Sequence, residues 1–142
     1  MKFVEFMIGD WIDIFPDYCQ VLSIGKKGRI YTTTVSNYKV DEKSSIGIYI
    51  TDSFLETNGF YISFLRINKI ATNYSNGLDI AITARKNKDG VYNGKWCLRI
   101  TNRTGIERIC CYIQFVHELQ HALRLIGLND MADNFKVEGG QQ

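Results

Sequence analysis

Four turn signals punctuate the middle of this 142-residue chain: Asn76-Gly77, Asp89-Gly90, Asn93-Gly94 and Thr104-Gly105. Asn, Asp and Gly accept the backbone conformations of tight turns at little cost, so each pair closes one apolar stretch and opens the next. The strand-like stretches around them run over about 60–70, 78–85, 95–101 and 107–113. This predicts a meander of four antiparallel strands. Ahead of it, 51–59 reads as a short capped helix. Thr51 or Ser53 can accept from a first-turn amide, Asp52 suits the positive helix end, and Asn58-Gly59 offers a left-handed exit.

The helix with the strongest period follows the meander. Phe115, Val116, Leu119, Ala122, Leu123 and Ile126 form one apolar stripe at helical spacing, and Gly127 stands where a helix stops. A helix laid on an antiparallel sheet makes the second part α+β. The first fifty residues instead alternate in period two, as in Asp10-Trp11-Ile12-Asp13-Ile14 and Cys19 to Ile24. Pro16-Asp17 breaks the first run, and Gly25-Lys26-Lys27-Gly28 has hairpin chemistry. The expected fold class is therefore β-rich α+β. A small SH3-like barrel occupies 1–50, the meander and the helix at 115–126 occupy 51–134, and 135–142 is a flexible tail.

Composition removes several function classes. Lys plus Arg number 17 against 15 Asp plus Glu, and a net charge of +2 gives no strong field for nucleic acid. The apolar runs are too short to span a bilayer, and MKFVEFMIGDW lacks the apolar core of a secretion signal, so a cytoplasmic protein with no membrane partner is expected. Cys19, Cys97, Cys110 and Cys111 contain no CxxC pair, which disfavours a zinc ribbon or redox motif and predicts buried free thiols. No GxGxxG, Walker A or GxSxG motif supports phosphate binding or acyl transfer.

One motif names a reaction. His117-Glu118-Leu119-Gln120-His121 matches H-E-x-x-H, in which imidazoles at i and i+4 hold zinc and the Glu is general base on the metal-bound water. Both histidines lie nearly opposite the apolar stripe, where a cleft could receive them. The chain has no third His, so the third ligand would be Asp130 or Glu138. Arg124, one turn beyond His121, would repel a dication unless an acid pairs with it. The expected reading is accordingly no metal and no cofactor, with a zinc metallohydrolase as alternative. As a binding surface, the helix face of His117, Glu118, His121 and Arg124 comes first. The basic loops of Lys26, Lys27 and Arg29 and of Arg85, Lys86 and Lys88, with Tyr31, Tyr92 and Trp96 near them, come second.

The segment Phe115 to Gly127 resembles the C-terminal helix of a family of small proteins, without an assigned activity, from Bacteroides-type gut bacteria and their phages and prophages. Ile8-Gly9-Asp10-Trp11-Ile12 and Thr51 to Phe60 are similar to two further stretches of that family, in the same order. In the family, the positions of Glu118 and His121 can be Gln and Asn, either of which removes the base or a ligand. This chain departs from it in longer loops at 69–76 and 87–94 and in a tail. The resemblance implies a phage or mobile-element setting and a two-part layout. The expected function is that of a non-enzymatic accessory protein binding a protein, a nucleic acid or a small ligand, as in counter-defence, host takeover or a minor virion role. Homo-oligomerisation is left open.

Overall fold

A computed structural model of the chain describes residues 6–14, 17–24, 30–33, 39–41, 46–137 and 140–141. The chain forms two units, Met1–Ile48 with Lys136–Gln142, and Tyr49–Phe135. The sequence-based divisions fell after 50 and after 134. The fold is β-rich α+β, built on two sheets.

In the first unit, β1 (Trp11–Ile14), β2 (Asp17–Ile24), β3 (Ile30–Thr33), β4 (Lys39–Asp41) and β5 (Ile46–Gly47) take the order β4-β3-β2-β1-β5. Neighbours in that order are antiparallel, and among the described residues the path is open rather than closed into a barrel. Trp11 and Ile12 are fully buried, and Phe6, Ile12, Cys19 and Val21 form one apolar cluster. The segment expected to be a flexible tail instead supplies β11 (Gly140–Gln141), parallel to β2 with Gly140 opposite Tyr18. The proposed hairpin loop at Gly25–Gly28, including Lys26 and Lys27, lies outside the described residues, as does Arg29.

The second unit opens with α1 (Asp52–Thr57), whose first-turn amide on Phe54 donates to Thr51 Oγ1 at 3.1 Å; Thr51, not Ser53, is the cap. Gly59 leaves at φ +86, which only glycine adopts cheaply. An antiparallel meander follows: β6 (Tyr61–Leu65), β7 (Asn68–Ser75), β8 (Leu78–Arg85), β9 (Trp96–Asn102) and β10 (Glu107–Ile113). There are five strands rather than four, because the 60–70 stretch turns back at Arg66-Ile67. Register opposes Ile82 to Leu98 and to Ala71, and Ile80 to Ile100, so one sheet face carries the buried residues. Helix α2 (Val116–Leu125) buries Val116, Leu119, Ala122 and Leu123, as the stripe predicts. A short helix unforeseen from sequence, α3 (Asn129–Asp133), packs against α2, and Phe135 then meets Phe54 edge to face at 5.3 Å. No helix among the described residues is long and apolar enough to cross a membrane.

Candidate functional site

Helix α2 begins at a residue that cannot cap it. Phe115 sits in extended backbone at the N-cap position and has no side-chain acceptor. Glu118, three positions on, does the work instead. Its Oε1 accepts from the backbone amides of Gln114 and Phe115, both at 2.9 Å. This is the Glu half of a capping box, and it sets a carboxylate at the positive end of the helix. One oxygen of the carboxylate that the H-E-x-x-H reading assigns to a metal-bound water is therefore engaged by two amides.

The histidines do not open onto a cleft together. His117 is buried and stacks on Phe115 at 5.6 Å, nearly parallel. His121 is half-buried, with its ring edge-on to His117 at 5.7 Å. The expectation that both face outward fails at His117, which is buried against Phe115, while α3 covers the Gln120 and Arg124 part of that side. His117, Gln120 and Arg124 share one face of α2 at i, i+3 and i+7. Fully buried Gln120 donates through Nε2 to the carbonyl of Ala132 at 3.0 Å. Arg124 donates from Nε and from a terminal nitrogen to Asp133 Oδ1 at 3.2 and 3.0 Å. Asp133 is thus the acid that neutralises Arg124. Asp130 is exposed on α3, with its backbone carbonyl held by Asn134, and Glu138 lies outside the described residues. Among the described residues, no three His, Cys, Asp or Glu side chains gather closely enough to hold a metal.

A different polar site was not anticipated. Lys69 on β7 points to the buried face, its side chain about nine-tenths buried, and its Nζ lies 2.8 Å from Asp52 Oδ1 at the start of α1. The ammonium also stands over the ring of Tyr92 at 4.1 Å and near that of Trp96 at 5.1 Å. Thr51, Ser53, Ala84 and Gly94 complete a cleft of about 410 Å³. The signal in the sequence was phase: Lys69 alternates with buried Ala71, where period two puts an inward residue. The pair fastens α1 to the sheet.

The basic loop is partly as expected. Arg85, Lys86 and Lys88 are all exposed. Lys86 pairs with Tyr92 as an isolated bridge, and its Nζ lies 5.6 Å from that ring. The thiols depart from expectation. Cys19 alone is buried, Cys97 is half-buried on the β9 face opposite Trp96 and Leu98, and Cys110 and Cys111 are exposed on the edge strand β10. Partial burial, then the neighbouring Cys110, pushes the Cys97 and Cys111 thiols above the ordinary thiol range, which keeps them protonated and weakly nucleophilic. Compared with protein-family models, curated proteins and solved structures, the chain matches none.

Proposed function

We propose that this chain is a non-enzymatic accessory protein of phage or mobile-element origin, acting in the cytoplasm of a host cell by binding rather than by catalysis. The observation that carries this reading is the engagement of Glu118, whose carboxylate oxygen accepts two backbone amides at 2.9 Å. A general base needs a lone pair aimed at the reacting water. Anchoring one carboxylate oxygen at the helix start fixes the group for the fold and gives the H-E-x-x-H pattern an architectural role. The buried His117 and the Arg124–Asp133 pair support the same conclusion. The resemblance of the terminal helix to proteins of Bacteroides-type bacteria and their phages supplies the setting, with the first unit read as a small SH3-like fold. The half-exposed Glu118 and His121 of α2 and the exposed loop of Arg85, Lys86 and Lys88 are the surfaces offered to a protein, nucleic-acid or small-ligand partner.

Native mass spectrometry of the untagged chain, purified with zinc in the medium, tests this reading. The expected mass is that of the bare polypeptide. One zinc per chain, lost on substituting His121→Ala, would restore the metallohydrolase.

A further inference from the structure

One end of the meander joins two features that the sequence kept apart. The β6–β7 turn and the β8–β9 connection emerge at the same end, and the Lys86 amide donates to the Ile67 carbonyl at 2.9 Å. The turn presents Phe64 at 67% exposure, Leu65 at 60% and Ile67 at 43%, with Val91 exposed in the connection beside it. Beside them lie Arg66 in the turn and the exposed Arg85, Lys86 and Lys88 at the end of β8 and in the connection, with Asp89 as the one acid of these segments. Arg66 takes the first turn position at φ +56, a left-handed conformation that ordinarily selects glycine. The chain thus holds a guanidinium at the apex, between two exposed aliphatic side chains.

We propose that this hairpin tip docks on the surface of an anionic lipid bilayer, with Leu65, Ile67 and Phe64 entering the interface and the surrounding cations meeting the headgroups. Charge selects an anionic partner, and the aliphatic groups select among anionic partners. A polyphosphate chain would leave Leu65 and Ile67 facing water, whereas the acyl boundary of a bilayer takes them up. Peripheral attachment that lasts requires two weak signals together, apolar insertion and a basic patch, and both occur at this tip. Nothing here spans the bilayer; the contact is reversible and sensitive to salt. The inference is independent of whether the H-E-x-x-H segment holds metal.

Cosedimentation of the full chain with vesicles decides it. The chain should pellet with vesicles of phosphatidylcholine plus phosphatidylglycerol, should stay in solution with phosphatidylcholine alone, and should be released by added salt. Each of Lys86→Gln and Lys88→Gln should weaken binding about fivefold. The double variant Leu65→Ser with Ile67→Ser should abolish it while the chain still unfolds cooperatively. Failure to pellet with either vesicle overturns the proposal. So does unchanged vesicle binding by the Leu65/Ile67 variant. Preferential, salt-sensitive binding of a single-stranded oligonucleotide that the same variant leaves intact would assign the cations to nucleic acid instead.

Discussion

Glu118 and Lys69 show how one side chain can carry a different meaning in the sequence and in the fold. In sequence, Glu118 belongs to a metalloprotease pattern. In the fold it stands at N3 behind an N-cap that has no acceptor, and two otherwise unsatisfied amides decide its role. Lys69 stood at the start of an expected loop, 69–76, yet it lies on β7, and its phase with Ala71 sends it inward, where Asp52 and the Tyr92 ring receive it. That pairing joins residues far apart in sequence, so no local pattern announces it. Removing only the acid strands a buried ammonium. Asp52→Asn is expected to cost about 1–3 kcal/mol, below the full cost for a buried pair because Asp52 is 43% exposed. Lys69→Met keeps the stem's packing and should cost less than Asp52→Asn in denaturant titrations. Equal losses would mean that the pair contributes only through packing.

At the scale of elements, what was legible had strong local chemistry. The helical stripe predicts α2 to within a residue at each end, and Thr51 with Asn58-Gly59 predicts α1. Asn76-Gly77 predicts the β7–β8 hairpin and takes positive φ at both residues. Two elements escaped. The β6–β7 turn uses Arg66-Ile67, which carries no turn chemistry, so 60–70 read as one strand and most of β7 fell in the expected 69–76 loop. Helix α3 is five residues long, too short to establish a period, and is held by Gln120 and Arg124 from α2. The odd turn yields its own test. Arg66→Gly should unfold within about 0.5 kcal/mol of the parent, since relief of about 1 kcal/mol of left-handed strain offsets the added chain entropy of glycine. A loss well beyond that would mean that the Arg66 side chain stabilises the tip.

For the whole molecule, composition and period two identified the β-rich α+β class, and local signals located most strands. The return of the C-terminal segment to the first unit was beyond that reach. A parallel pairing of Gly140–Gln141 with β2 is set by contacts more than a hundred residues apart in sequence, and a Gly-Gly-Gln-Gln segment has the composition of a frayed end. The same distance effect governs the candidate site. Two imidazoles and a carboxylate at helical spacing were plain in the sequence. Whether they meet a third ligand or a helix start depended on α3 and on the residues before α2. Glu118 therefore serves the fold, tying the start of α2 to the residues before it. Denaturant unfolding of the wild type, Glu118→Gln and Glu118→Ala measures this directly. The expected result is a loss of about 0.5–2 kcal/mol for Glu118→Ala and only a small part of that loss for Glu118→Gln, whose side-chain oxygen still accepts from the two amides. A Glu118→Ala chain as stable as the wild type would contradict it.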